Sequence, residues 1–477
     1  MKKQLDLFHL SIVQNYIKNE KTYVNLLMVN NKYGQINKYF DQFNSNPPFD
    51  NKKIFKRDCK NIRFKFDQIF VCDDNISTSI SLNKEIDYLY IRNNLFDFDF
   101  NDIKKNIKNI IISNNILKLK DNYFINCTNL TSISLPTSIT QIPKRLFGRC
   151  LNLKEITLND NIISINNAAF YDCSSLSKLK LPNTIRALNH GCFYNCQNLT
   201  QINIPTLITT LERFLFYNCK NIQNIYIPTN IQKISDNCFM GCENLTSIVI
   251  PDHVSYLGPA AFYKCKQLKT ITLPTNISEI HFNTFGSCEN LTSIILPDNI
   301  TYIEDNAFCD CLKLENIKWS LNLKYIGFNT FKNCGLKELN LPIKLNTING
   351  YAFSECCELS KIDLSNVFNL SYLSKGCFCK CQKLTSVILS DTIKVISNEC
   401  FKKCINLVDI HLPTRLREIK QMAFMDCTNL NQIQFPSSLQ KIYNYAFSNC
   451  YNLKNIIMTH KISFISDLAF KTKLTKF

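Results

Sequence analysis

The sequence has few of the residues from which enzymes build phosphate loops and metal sites. Of 477 residues, only 10 are glycine, 6 are histidine and 1 is tryptophan. It contains no glycine-rich phosphate loop, no Gly-x-Ser-x-Gly turn and no His-x-x-x-His pair, and the histidines have no recurring acidic partner. The sequence therefore predicts a protein without catalytic activity and without a cofactor.

Long apolar runs are also missing. No run reaches about 18 consecutive apolar residues, the length at which a membrane-spanning helix becomes a candidate. The segment after Met1 lacks the apolar core of roughly 7–15 residues that a secretion signal needs. We therefore expect a cytoplasmic protein without a membrane span, with the cell surface, reached by unconventional export, as the alternative.

The sequence is rich in cysteine and in positive charge, with 24 cysteines and a formal net charge of +17. In a reducing cytoplasm these cysteines are expected to be thiols and not a disulfide framework. A basic surface attracts nucleic-acid phosphates. What both totals mean depends on where the residues lie in the fold.

A repeat of Phe-x-x-Cys organises most of the chain. Its period is 23 residues, with one spacing of 22 after Phe331 and one of 25 after Phe353. Repeats of this length are typical of solenoids, in which each unit packs only on its neighbours. The fifteen phenylalanines of the repeat are Phe124, Phe147, Phe170, Phe193, Phe216, Phe239, Phe262, Phe285, Phe308, Phe331, Phe353, Phe378, Phe401, Phe424 and Phe447.

Each repeat also contains a segment of the form Leu-x-x-Ile-x-Leu-Pro. In the repeat at Phe239 this segment is Leu245, Ile248 and Ile250 followed by Pro251. Alternation of apolar and polar residues predicts a short strand with one buried face, and proline ends it because it cannot extend a ladder. We predict one parallel strand per 23-residue coil, in a β-rich and curved array.

The repeat resembles the BspA-like branch of the leucine-rich repeats. Residues 261–280 read Ala-Phe-Tyr-Lys-Cys-Lys-Gln-Leu-Lys-Thr-Ile-Thr-Leu-Pro-Thr-Asn-Ile-Ser-Glu-Ile, and the resemblance covers residues 124–470. It implies a leucine-rich-repeat solenoid with an interaction function. Because members are mostly cell-surface or adhesion proteins, it also implies a surface-exposed adhesion protein as an alternative to an intracellular scaffold.

Four segments follow from this pattern. Residues 124–469 hold the fifteen repeats, residues 51–123 hold degenerate leading repeats, and residues 470–477 form a C-terminal cap stub. Residues 1–50 have apolar residues near helical spacing and predict a small α-helical cap. Within them, residues 10–35 contain Ile12-Val13-x-x-Tyr16-Ile17 and resemble an F-box, which implies a substrate receptor that docks on a ubiquitin-ligase adaptor.

The outward positions of the predicted strands are mostly Ser, Thr, Asn and Gln. Over fifteen coils they carry eight lysines and five acidic residues, a difference of +3, so most of the net charge of +17 lies elsewhere. We therefore do not expect nucleic acid to bind on this face. We expect it to bind a protein partner of unknown identity.

One outward column is more apolar than the others, at the position between Ile and Leu. Apolar clusters with a polar rim mark partner sites, although strand propensity alone also favours such residues. The candidate partner-binding residues in this column are Tyr226, Val249, Thr272 and Ile295, with a second group formed by Ile388 and His411.

The cysteines divide into two groups. Fifteen belong to the Phe-x-x-Cys column, where we expect small buried side chains. Two of the others, Cys377 and Cys379, form Cys377-x-Cys379-x-Cys381 with the column residue Cys381. This cysteine-rich region lacks the Cys-x-x-Cys spacing of a zinc site. No metal site is predicted. Asn129, Asn198, Asn244 and Asn290 head Asn-Leu-Thr triplets, for which we expect a turn role and not glycosylation.

Overall fold

The computed structural model describes residues 68–71, 86–91, 104–458 and 460–471. These residues form a β-solenoid of coils about 23 residues apart, as the repeat predicts. No α-helix occurs among them, and the 3-10 turn Lys104–Asn106 is their one helical element. The cap or F-box-like segment predicted in residues 1–50 and most of the stub at 470–477 lie outside the described residues.

A first column of parallel strands contains the predicted Leu-x-x-Ile-x-Leu segments. Paired strands lie one coil apart, for example Ile248 with Ile271, and the column is divided into several separate sheets. The coil at Phe216 differs, because its residues 223–228 form no strand. The strands of the first column are Gln68–Val71, Ile86–Ile91, Ile107–Ile112, Ser132–Ser134, Glu155–Thr157, Lys178–Leu179, Gln201–Ile202, Ser247–Val249, Thr270–Thr272, Ser293–Ile295, Asn316–Lys318, Glu338–Asn340, Lys361–Asp363, Ser386–Ile388, Asp409–His411, Gln432–Phe435 and Asn455–Met458.

A second column of two-residue strands lies in the other half of the coil. The prediction of one strand per coil was therefore wrong. Two residues are too few to show an alternating pattern, so these strands have no periodic signal in the sequence. They are Gln141–Ile142, Ser164–Ile165, Ala187–Leu188, Thr210–Leu211, Lys233–Ile234, Tyr256–Leu257, Glu279–Ile280, Tyr302–Ile303, Tyr325–Ile326, Thr347–Ile348, Tyr372–Leu373, Val395–Ile396, Glu418–Ile419, Lys441–Ile442 and Phe464–Ile465.

The repeat phenylalanines form one uninterrupted ring stack in the core. From Phe124 to Phe470, successive ring centroids lie 5.1–5.8 Å apart with interplanar angles of 4–20°. The spacings of 22 and 25 residues do not break the stack, since the centroid distances across them are 5.4 and 5.7 Å. The irregular lengths are therefore absorbed elsewhere in the coil.

The cysteine of each repeat is a hydrogen-bond donor between coils. In fourteen coils its Sγ lies 3.1–3.3 Å from the carbonyl oxygen of the phenylalanine one coil earlier. A buried carbonyl has two lone pairs to satisfy, and a thiol is a small, weak donor that tolerates burial. This column is structural, as predicted, and the thiol also serves as a donor.

A tight turn surrounds each phenylalanine. The residues two before and two after it have left-handed backbone angles, with φ of 51–75° in every coil from Phe124 to Phe447. In the coil at Phe262, the N–H groups of Ala260, Phe262 and Lys264 donate to carbonyls of the following coil at 2.8–2.9 Å. All three bonds point in the same direction along the stack.

Asparagine side chains link neighbouring coils at the turn before the first column. The Asn244 Nδ2 donates to Asn221 at 3.0 Å, and Asn221 donates in turn to Asn198 at 3.1 Å. The Nδ2 of Asn290 donates to the Lys266 carbonyl at 2.9 Å. Asn198, Asn244 and Asn290 lie in turns, as the sequence predicts, but these side-chain bonds run to the adjacent coil.

Gly258 marks a point of close approach between two coils. A Cβ there would lie 2.6 Å from the backbone nitrogen of Asp236. We expect Gly258→Ala to lower the free energy of unfolding by about 1–3 kcal/mol, because the backbone must shift to make room. Urea unfolding followed by circular dichroism measures this change.

Gly286→Ala is the matched control for that substitution. A Cβ at Gly286 would meet only side-chain atoms, the nearest 3.0 Å away on the Tyr263 ring. Since a side chain can move aside, we expect a change below about 1 kcal/mol. Equal losses in the two variants would contradict the close backbone approach at Gly258.

Candidate protein-binding face

The sequence pattern predicts a binding site on the outward face of the first strand column. In the strand Ser247–Val249, Ile248 is buried while Ser247 and Val249 are exposed. The same exposed, buried, exposed order occurs in the strands Thr270–Thr272 and Ser293–Ile295. The face therefore presents its outward side chains at a regular spacing, one coil apart.

Three large apolar side chains of the predicted column are exposed on this face. The exposed fractions are 73% for Tyr226, 68% for Val249 and 62% for Ile295. Val249 is in register with Thr272 on the next strand. With strands about 4.8 Å apart, the three steps from Tyr226 to Ile295 span roughly 14 Å.

The surroundings of this column are polar. Thr246 Oγ1 donates to Asn224 at 3.2 Å, and Ile295 is in register with Lys318. Tyr226 itself lies in the coil that has no first-column strand, so it occupies the equivalent position without belonging to a bonded ladder. The predicted continuous ladder is thus interrupted at its first member, and again between the strands Thr270–Thr272 and Ser293–Ile295, which belong to different sheets.

Ile388 and His411 form a smaller pair farther along the face. They are in register on neighbouring strands, and Ile388 is 41% exposed. The His411 Nδ1 lies 3.8 Å from Asp409. Asp363, in register with Ile388 on its other side, has a pKa below its usual range because the hydroxyl and N–H of Ser365 hydrogen-bond its carboxylate. This part of the face is therefore more polar and charged than the Tyr226 region.

Charged residues on the face pair across coils. The Lys337 Nζ lies 2.8 Å from Glu315 one coil earlier, which raises the pKa of Lys337. This pair offsets the charge of one of the eight lysines counted on the face.

The second column holds a polar group that sequence patterning missed. Glu279, His281 and Glu304 each offer a ligand-type atom, and these atoms lie within 4.8 Å of one another. His281 and Glu304 are one 23-residue period apart, so the repeat length itself is the signal that could have paired them. Motifs that lie within one coil do not include this arrangement.

Comparison with protein families identifies the repeat. The family described as BspA type Leucine rich repeat region matches residues 93–223, 209–321, 232–359, 302–394 and 371–477, well over half of the chain. The chain belongs to the BspA-type leucine-rich repeat family. Among curated proteins no relative matches.

Solved structures of bacterial leucine-rich repeat proteins are similar to this chain. A leucine-rich repeat protein from Bacteroides ovatus is 28% identical with a TM-score of 0.62, over 70% of this chain and 82% of that one. A leucine rich cell surface protein from Faecalibacterium prausnitzii is 23% identical with a TM-score of 0.38, over 72% of this chain and 84% of that one.

Among the residues that the structure describes, none form a helix of the length and apolar character that a membrane span requires.

Proposed function

We propose that this BspA-type protein is a non-catalytic binding protein that holds a protein partner on the outward face of its first strand column. The observation that supports this function is the exposure of Tyr226, Val249 and Ile295 at equivalent positions of nearby coils. Partner sites are enriched in exposed aromatic and aliphatic side chains that have a polar rim.

Strand propensity is the competing explanation for these side chains. It accounts for Val249 and Ile295, which lie in strands. It does not account for Tyr226, which is the most exposed of the three and has no strand around it. We therefore favour a binding role, with Thr272 as a polar contact between the apolar positions and with Ile388 and His411 as a secondary contact.

The double substitution Tyr226→Ser and Ile295→Ser tests this function. We expect it to weaken partner binding at least tenfold, because central aromatic and aliphatic anchors contribute most of the energy of an interface. Partners would be captured from extracts of the source organism, identified by mass spectrometry, purified, and titrated against both proteins by calorimetry.

The matched control is Leu321→Ser. Leu321 is 68% exposed but lies in the turn after the first-column strand Asn316–Lys318. Its substitution should leave the affinity unchanged, and all variants should keep the melting temperature. Unchanged affinity in the double variant for a partner that was purified and identified would refute the proposed face.

A surface-exposed adhesion protein is the second candidate, and membership of the BspA-type family favours it. Both candidates use the same face and differ in the location of the protein. Cell fractionation with surface biotin labelling separates them, since only a surface protein is labelled on intact cells. Docking of a ubiquitin-ligase adaptor through residues 10–35 stays a prediction from the sequence.

A further inference from the structure

Glu279, His281 and Glu304 converge on the outward side of the second strand column. Glu279 and His281 are two residues apart and so lie on the same side of the chain, and Glu304 follows His281 by one coil. The His281 Nε2 lies 3.6 Å from Glu279 Oε1, and its Nδ1 lies 3.4 Å from Glu304 Oε1. One imidazole is therefore flanked by two carboxylates from adjacent coils.

In the described part of the chain, the negative charges of Glu279 and Glu304 are not offset by lysines, whereas those of several other glutamates in the array are. Glu243 lies between Lys220 at 3.3 Å and Lys266 at 3.7 Å, each from a neighbouring coil. Glu355 pairs with two lysines in the same manner. Glu399 and Glu418 also pair with two lysines each, one from a neighbouring coil and one from their own.

Within the described residues, neither Glu279 nor Glu304 forms an ion pair with a lysine or arginine. Their one contact with a basic side chain is the shared His281 ring, which binds a metal ion in its neutral form. Two carboxylates with a neutral imidazole carry a charge of −2, in a chain whose net charge is +17. A divalent cation would balance that local charge.

Neighbouring groups support Glu304 and His281. The Glu304 Oε2 accepts the N–H of Phe282 at 2.6 Å, which leaves Oε1 directed at the imidazole. The His281 ring packs 5.3 Å from the Tyr256 ring, and its side chain is only 14% exposed. The Tyr256 hydroxyl is itself fixed by a 3.2 Å hydrogen bond to Asp236. Such supporting contacts are typical of metal ligands, whose orientation depends on a second layer of bonds.

We propose that Glu279, His281 and Glu304 bind one divalent first-row transition ion, with zinc as the ion to test. One imidazole nitrogen and one oxygen from each carboxylate is a ligand set that zinc accepts, and water would complete the coordination. Zinc binds such atoms at about 2.0–2.2 Å, so its ligands lie at most about 4 Å apart. Small rotations of the two partly exposed carboxylates bring the present separations, all within 4.8 Å, into that range.

The site is independent of the proposed protein-binding face, because it lies on the second column and not on the first. The sequence did not predict it, because His281 and Glu304 are 23 residues apart and form no local ligand motif. An ion bound at this place would join two successive coils through their side chains. It would thus stabilise the fold at the coil boundary between Glu279 and Glu304.

Calorimetric titration of zinc chloride into the full chain, stripped with a chelator, tests the site. The titration uses the Cys357→Ser background, since Cys357 is an exposed thiol that can bind zinc itself. We expect binding of about one zinc ion. In His281→Gln the affinity should fall at least tenfold, and Glu279→Gln and Glu304→Gln should each weaken it by roughly tenfold.

His190→Gln is the matched control. His190 lies 3.3 Å from Glu212 but forms no group of three ligands in the described residues. Its substitution should leave zinc binding unchanged. Absence of zinc binding at millimolar concentration, or equal binding in His281→Gln and the parent, would overturn the proposal. If His281→Gln lowers the melting temperature in the absence of metal, Glu279→Gln decides instead, because the Glu279 side chain is 43% exposed.

Discussion

Raising the pH from 7.5 to 10 is expected to unfold the coil stack at 25 °C. Eighteen buried cysteines have pKa values raised above the usual range, in each case chiefly because burial removes the thiolate from water. For Cys356 and Cys450 the pKa rises to about 12. The folded protein therefore keeps these thiols protonated at a pH where the unfolded chain loses the protons.

The direction of the effect follows from linkage. The folded pKa lies above the unfolded value of about 8.5, so the stabilisation is fully present below about pH 8.5 and is lost as the pH rises toward the folded values. Each thiol contributes about 1.4 kcal/mol per pH unit in that window. Eighteen such thiols give a slope on the order of 20 kcal/mol per pH unit, comparable with the whole stability of a chain of this size at about 0.05–0.15 kcal/mol per residue.

Circular dichroism between pH 7.5 and 10.5, with a reductant present, measures this transition. The variant Cys192→Ala with Cys238→Ala removes two of the eighteen thiols, so the proton release on unfolding at pH 9.5 should fall by about two. Most of the transition should be complete below the pH where tyrosines ionise, about 10. A chain whose stability is equal at pH 7.5 and pH 10 would contradict the burial of the thiol column.

Phe262→Ala is expected to lower the free energy of unfolding by about 3–5 kcal/mol. The Phe262 ring is fully buried and lies 5.3 Å from Phe239 and 5.8 Å from Phe285. Its removal leaves a cavity and interrupts the ring stack on both sides. Because coils interact only with their neighbours, the weakened coil should also make urea unfolding less cooperative, with the two parts of the array melting separately.

Phe368→Ala is the control for this substitution. Phe368 is 63% exposed, so its loss should change the free energy of unfolding by no more than about 0.5 kcal/mol. A loss of less than about 1 kcal/mol in Phe262→Ala would show that the stack contributes little to stability.

The features that the sequence predicted are those with a local period. Leu245, Ile248 and Phe239 recur at fixed spacings, and burial of each follows from its place in the pattern. The second strand column escaped prediction because Lys233–Ile234 and its equivalents are too short for an alternation to be visible. The curvature of the array stays a prediction.

Contacts between coils were harder to predict than contacts within one. The bond from the Cys265 thiol to the Phe239 carbonyl depends on a turn geometry that residue types do not reveal. The contact between His281 and Glu304 could have been predicted from the sequence, because the two residues are one repeat period apart. At Tyr226 the sequence pattern predicts a strand, but the structure contains none there.

The cysteine content says less about cellular location than the sequence suggested. Thiols were expected because a cytoplasmic location was expected. In the structure, most cysteines are buried with their Sγ atoms bonded to backbone carbonyls, and the described cysteines are all free. A thiol without access to solvent is poorly reactive in either compartment. The cysteines therefore favour neither the cytoplasm nor the cell surface.

The turns around the phenylalanines give the array a chemical polarity. In each coil the N–H groups at positions such as Ala260, Phe262 and Lys264 all point toward the following coil. Their peptide dipoles add along the axis, as they do in an α-helix. At this turn, one side of a coil thus presents N–H donors and the other presents carbonyl acceptors. An engineered array can therefore continue these turn bonds only when its coils are joined head to tail, since an inverted coil would set donor against donor there.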